Sequence, residues 1–298
     1  MNPSTTKTSD PLRRVIAWIA VIGSTVPEVV WKESGHRLSF SFIAIECVLL
    51  VAAAVAVTRF PRLRGLSRFL LAMAALEFAW NFVAPALAQT NWVRGLSDNA
   101  SWGARFFIAR TLTVSGAILV SLTLIGSGYA RRDLFLNLGN LAAPARPISF
   151  LGLRKPVPWT WFGPALLLIF ALALAPFLYF NVHPSFALSG RILRFFPWMI
   201  AVSALNAASE EYQFRNVLLA HLRNAFSSTE AALLTAVYFG LGHYYGQPSG
   251  FLGVLMAGFA GWIWARSLIE TRGFFWAFTT HMVQDIIIFA FLAMSVAN

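Results

Sequence analysis

The sequence predicts an all-α protein, a polytopic bundle of eight to nine transmembrane helices. Three observations carry this. Of 298 residues, 58% are apolar and only 12% are charged, about half the charged share of a soluble domain. Mean hydropathy is +0.66. Apolar runs of about 20 residues, the length that spans a bilayer, recur along the whole chain.

Taken in order, the runs are 15–31, 39–57, 68–88, 106–127, 159–180, 195–219, 230–246, 250–269 and 274–296. Pro27 and Glu28 interrupt the first, which reads as a short or interfacial helix or an uncleaved anchor. The second and third are near-continuous apolar stretches, each broken by one acid, Glu46 and Glu77. Gly, Pro, Ser and Asn mark the loops between runs, as in "QTNWVRGLSDNASWG" (89–103) and "GQPSG" (246–250). Trp31, Trp92 and Trp159 fall near the predicted interfaces. The organisation is a tail over 1–14, N-terminal helices over 15–127, a basic Pro-containing connector over 128–158, and a C-terminal bundle over 159–298.

A net charge of +11 would suggest nucleic acid in a soluble protein, but here the basic residues flank apolar runs, and no nucleic-acid partner is expected. With the N-terminus in the cytoplasm, 16 of the 23 lysines and arginines fall in segments 1–14, 58–68, 128–158, 215–229 and 266–273, as the positive-inside rule requires. A bacterial inner-membrane protein is the expected setting, with the bilayer as its first partner. The single cysteine, Cys47, excludes an internal disulfide.

Ionisable residues inside a membrane run are unfavourable by a few kcal/mol and mark function by default. They concentrate in three patches on three successive runs: "EEYQFR" (210–215), "FGLGH" (239–243) and "HMVQD" (281–285). Residues four apart share a helix face, whereas neighbours diverge by about 100°. Glu211 and Arg215 therefore form the natural pair, Glu210 points elsewhere, Phe239 shares a face with His243, and His281 shares one with Asp285. A Glu/Arg pair at this spacing is more often structural, and a lone histidine on an apolar helix more often fills a core. Three such patches in one half of so charge-poor a chain favour a shared pocket formed by Glu210, His243, His281 and Asp285. In the N-terminal half, Glu46 and Arg110 each lie about eight residues from the same face, a depth near 12 Å, which suggests a buried pair. Glu77 and Asn81 share a face without an evident partner. The glycines of "YFGLGHYYG" (238–246) and "GVLMAGFAG" (253–261) read as helix packing.

In their order, spacing and membrane context, these three patches resemble the signature of the CPBP family, the CAAX-processing proteases with their bacteriocin-processing and abortive-infection relatives, among them the Ras-converting endopeptidase of eukaryotes. The resemblance covers about 195–298. It implies an intramembrane endopeptidase acting on a membrane-associated protein or peptide. By motif match, Glu210 would be the general base that activates water, His243 would help to hold that water, and His281 and Asp285 would lie on the oxyanion side. Glu211, Arg215 and Phe239 would be structural support. Many relatives carry Asn where this chain has Asp285, and an ionised aspartate donates no hydrogen bond. Either Asp285 is neutral and donates as an acid, or it orients His281. Glu210, His243 and His281 also form the two-His, one-carboxylate set of a catalytic zinc. No His-Glu-x-x-His occurs, and a metal-free, glutamate-dependent reaction without cofactor is the preferred expectation. A non-catalytic immunity or scaffold protein of the same fold would be marked by a broken motif. A proton-coupled transporter would need a polar path through the N-terminal half.

Overall fold

The fold was read from a computed structural model, which describes residues 10–295; most of the predicted tail, 1–9, lies outside the described residues. Among the described residues, thirteen α-helices account for nearly all the regular structure. They are α1 (Pro11–Gly23), α2 (Val26–Glu33), α3 (Phe40–Thr58), α4 (Ser67–Phe78), α5 (Ala84–Ala88), α6 (Asn91–Asp98), α7 (Trp102–Leu122), α8 (Trp159–Val182), α9 (Gly190–Glu211), α10 (Leu218–Leu222), α11 (Ser228–Gly242), α12 (Gly250–Thr271) and α13 (Phe275–Ser295). Among the described residues, eight helical stretches are long and apolar enough to cross a membrane. The chain is thus an all-α polytopic bundle.

Local chemistry explains the boundaries. Asp10 caps α1 by accepting from Leu12 N at 2.9 Å, with Pro11 in the first turn. Pro27 enters the first turn of α2 and the chain breaks at Ser24–Thr25, so the interrupted first run is one stretch of two helices. Ser39, Ser101 and Ser227 cap α3, α7 and α11. The predicted run 230–246 is cut short. Its helix, α11, stops at Gly242 after 15 residues, about 22 Å, because His243 ends it. Two helices widen into π-type turns, Ala79–Val83 after α4 and Tyr212–Val217 after α9. Such turns add a residue without breaking the helix and are frequent at functional sites.

The basic segments converge at one end of the bundle. Arg14 pairs with Glu230 at 2.5 Å, Arg13 donates to the Arg62 carbonyl, Arg223 pairs with Asp133 at 2.6 Å, and Asn137 Nδ2 donates to the Arg272 carbonyl at 2.9 Å. At the opposite end Tyr245 Oη donates to Glu33 at 2.9 Å and Ser185 N to the Met294 carbonyl at 3.1 Å. Short as it is, α11 therefore runs between the two ends, from Glu230 to the turn holding Tyr245.

The connector is not a loose linker. Pro144–Ala145 pairs antiparallel with Val157–Pro158. Asn140 N donates to the Thr271 carbonyl at 2.8 Å, Trp276 Nε1 to the Leu141 carbonyl at 3.0 Å and Trp159 Nε1 to Glu270 at 3.0 Å, which ties the connector to the turn between α12 and α13. One apolar core, including Leu70, Met73, Val217, Leu218, Leu234 and Leu268, joins both halves of the chain. The most extensive contact between two helices is α11 on α12. A Cβ at Gly240 would lie 2.7 Å from the Val254 carbonyl and 2.9 Å from Gly258 Cα, so only glycine permits that approach. It brings α11 and its terminal His243 against the bundle.

Candidate functional site

A cavity of about 400 Å³ lies between α2, α4, α7, α9, α11 and α13. Its lining includes Glu210, Phe239, His243, His281 and Asp285, together with Glu28, Glu77 and Arg110 from the N-terminal half.

Glu210 and Glu211 part ways as the helical step requires. Glu211 is fully buried and its Oε1 lies 3.0 Å from Arg215 Nη1, also fully buried. The guanidinium is sandwiched rather than forked: it lies 3.7 Å over the Phe239 ring and 4.8 Å over Trp264. Glu211 has a second partner that spacing alone does not reveal. His281 Nδ1 donates to its Oε1 at 2.7 Å. The His281 ring stacks flat on Trp264, with centroids 4.1 Å apart and planes 9° from parallel. His281 Nε2 is thereby aimed between Glu210 Oε2 at 3.6 Å and Asp285 Oδ1 at 3.8 Å.

His243, at the C-cap of α11, donates from Nδ1 to the Phe239 carbonyl at 2.9 Å, which leaves its Nε2 with a lone pair. Phe239 packs between the two histidines, 4.1 Å from the His243 ring and 6.2 Å from that of His281. Glu210, His243, His281 and Asp285 thus line one cavity together with Phe239, with Glu211 and Arg215 behind them.

Two further residues complete the arrangement. Asn206, one turn before Glu210, donates from Nδ2 to Asp285 Oδ2 at 2.9 Å. Asp285 therefore acts as an acceptor toward α9, while Glu211, not Asp285, holds His281 by its Nδ1. Arg110 Nη1 lies 3.9 Å from Glu210 Oε1. This corrects the expected Glu46–Arg110 pair: α7 presents Arg110 to the cavity beside Glu210, while Glu46 is buried on α3. Glu77 and Asn81 do find partners. Asn81 Nδ2 donates to Glu28 Oε1 at 2.7 Å and to Glu77 Oε2 at 3.0 Å, and Tyr238 Oη donates to Glu77 Oε1 at 2.8 Å. Asn206 is legible as an amide four residues from Glu210 within an apolar run; Arg110 and Glu28 carry no local signal linking them to the motifs.

Among the described residues, no three His, Cys, Asp or Glu side chains are placed to hold a metal ion. Nδ1 of His243 is engaged with a carbonyl and Nδ1 of His281 with Glu211, which leaves the Nε2 edge of each ring toward the cavity.

Fold and cavity together define a class: a polytopic helical membrane protein with a charged site enclosed by its helices. Residues 192–287, about a third of the chain, match the family model described as Type II CAAX prenyl endopeptidase Rce1-like, so over that segment the chain is similar to the CAAX-processing endopeptidases. All three motif patches lie inside the matched segment. No curated protein and no solved structure matches the chain.

Proposed function

We propose that this protein is an intramembrane endopeptidase that hydrolyses a peptide bond of a membrane-associated protein or peptide, with Glu210 as general base. The observation that carries this reading is the convergence of Glu210, His243, His281 and Asp285 on one cavity within the family-matched segment.

The reaction follows from the donors and acceptors. Glu210 takes a proton from water while the water oxygen adds to the scissile carbonyl carbon, and the carbonyl π pair moves onto its oxygen. Collapse restores the C=O bond and breaks the C–N bond, and the proton held by Glu210 passes to the leaving nitrogen. The products are a carboxylic acid and an amine, so atoms and charge balance without a co-reactant. The lone pair on His243 Nε2 helps to hold the water. Glu211 fixes the His281 ring and Asn206 fixes Asp285, so that both face the reacting carbonyl. We favour the metal-free form over one using Glu210, His243 and His281 as zinc ligands because, among the described residues, these side chains are not grouped to hold a metal ion. Insensitivity of purified enzyme to chelator would agree; loss of activity restored by zinc would overturn that choice. We place the basic end in the cytoplasm of a bacterial inner membrane, with the N-terminus on that side.

The decisive experiment compares membrane proteomes of cells carrying wild type or Glu210→Gln. An uncleaved precursor should accumulate with the variant at normal protein level. Equal cleavage by Glu210→Gln would refute the assignment. The cavity also reaches Glu28 and Glu77, the N-terminal polar residues a proton-coupled carrier would need. Under the protease reading Glu77→Gln keeps precursor cleavage; the absence of any Glu210-dependent precursor, with proton uptake that Glu77→Gln abolishes, would favour the carrier.

A further inference from the structure

We propose that Arg110 is a catalytic residue of this site: its guanidinium holds the negative charge that develops on the oxygen of the scissile carbonyl. This rests on the endopeptidase reading above and adds a residue from outside the matched segment.

The argument begins with which donors are already committed. Around the cavity, Asn206 Nδ2 serves Asp285, Asn81 Nδ2 serves Glu28 and Glu77, and Tyr238 Oη serves Glu77. Nδ1 of His243 serves a carbonyl, Nδ1 of His281 serves Glu211, and Trp80 Nε1 serves Gln213 at 2.8 Å. Arg215 is fully buried between two rings and beside Glu211, so no substrate atom can reach it. Lys32 sits 4.8 Å over the Tyr245 ring at the end of the bundle.

Arg110 is different. It has five N–H donors in a rigid fork and remains charged. Its side chain is 34% exposed and lines the cavity, and among the described residues its guanidinium donates no hydrogen bond. Its one ion-pair contact, with Glu210, is at 3.9 Å, beyond hydrogen-bond distance. A guanidinium with open donors inside a membrane bundle is unfavourable until oxygens fill them.

Its position selects the occupant. A carbonyl oxygen accepting from Arg110 at about 3 Å leaves its carbon within reach of a water held by Glu210, because base and guanidinium are neighbours. As the water adds, charge moves onto that oxygen, and a fixed cation in a site of low dielectric stabilises it more in the transition state than in the substrate. Asp285, an acceptor toward Asn206, cannot supply this if ionised.

The test has two arms on full-length protein. In the first, decylphosphonate, a tetrahedral anion with an alkyl anchor, is titrated into purified protein in maltoside micelles and the unfolding midpoint is followed, with decanol as the neutral control. Wild type should be stabilised by the phosphonate and not by decanol. Arg110→Gln should bind it at least about tenfold more weakly, with Arg110→Lys between them, and Glu210→Gln more tightly because a facing carboxylate is gone. Equal binding by wild type and Arg110→Gln overturns the proposal, as does no phosphonate-specific effect on wild type. If Arg110→Gln does not fold, the lysine variant carries the comparison. In the second arm, cleavage of the precursor that accumulates with Glu210→Gln should fall on the order of 10²–10³-fold in kcat for Arg110→Gln with KM little changed, partly restored in Arg110→Lys. A raised KM with kcat retained overturns the transition-state role. If no precursor exists, the endopeptidase reading falls and the phosphonate titration alone decides whether Arg110 holds an oxyanion.

Discussion

Glu211 Oε1 lies 2.7 Å from His281 Nδ1, so the second glutamate of the pair, expected only to neutralise Arg215, also anchors a histidine of the neighbouring helix. One oxygen thus holds a buried cation and fixes an imidazole. Glu211→Gln should leave Arg215 as an uncompensated buried charge. The expected loss is about 3–5 kcal/mol, the usual consequence of removing one partner of a buried pair. Thermal unfolding in detergent and accumulation in the membrane both measure it. Glu210→Gln should accumulate normally, and similar losses in the two variants would erase the division of roles.

Asp285→Asn is the informative change at the last motif position. Asn206 Nδ2 donates to Asp285 Oδ2, and an asparagine can accept that bond through its own carbonyl while turning an amide donor toward the cavity. Stability should hold, and precursor cleavage should stay within about tenfold of wild type. Asp285→Ala strands the Asn206 amide and should cost about 1–3 kcal/mol. The role given to Asp285 fails if the asparagine variant is as inactive as the alanine variant.

The three motif patches are legible in the sequence because helical periodicity places residues four apart on one face. That rule alone separates Glu210 from Glu211 and joins His281 to Asp285. It gives height along a helix and relative azimuth within it, but not how helices are rotated against one another. Spacing puts Glu46 and Arg110 at similar expected depth, yet α7 turns Arg110 toward Glu210. Hydropathy likewise marks the membrane runs but not the π-type turn at Tyr212–Val217, within which Gln213 accepts a bond from Trp80 across the bundle.

That correction is itself measurable. Among the described residues Glu46 and Arg110 share no ion-pair or hydrogen-bond partner, so Glu46→Gln and Arg110→Leu should affect stability additively, within about 0.5 kcal/mol. Thermal unfolding of the two single variants and the double variant reads the coupling directly. A double variant no worse than either single one would restore the pairing.

Asp133 provides a pH-dependent contact at the basic end. The Ala130 backbone N–H at 2.9 Å and Arg223 at 2.6 Å hold its carboxyl below the ordinary 3.8. A lowered carboxyl contributes stability that is fully present above the unfolded value and is lost as pH falls through the folded one. Asp133→Asn should therefore lower the unfolding midpoint slightly at pH 7 and converge with wild type well below pH 3.8. The pair is partly solvent-exposed, so the effect is small. A gap between the two proteins that persists unchanged into acid would mean Asp133 acts through shape rather than charge.

Gly116 decides whether the two π-type turns can meet. A Cβ there would overlap Gln213 Oε1 and lie 3.0 Å from Trp80 Nε1. Trp80 Nε1 donates to that same oxygen at 2.8 Å, and Gln213 Nε2 donates to Ser209 Oγ at 2.6 Å and to the Thr113 carbonyl at 3.3 Å. Gln213 is fully buried. Gly116→Ala should force it off this network, an overpacking loss of roughly 1–3 kcal/mol with about 1 kcal/mol more for the Trp80 bond. Gln213 lies two residues from Glu211, so the displacement should lower precursor cleavage as well as stability. Removing the obstructed side chain gives the control. In the Gly116→Ala, Gln213→Ala double variant the clash is gone, and the combined loss should be smaller than the sum of the single losses by about 0.5–3 kcal/mol. Strict additivity in thermal unfolding would mean that the methyl group acts elsewhere on α7 and that the Trp80–Gln213 contact does not depend on Gly116.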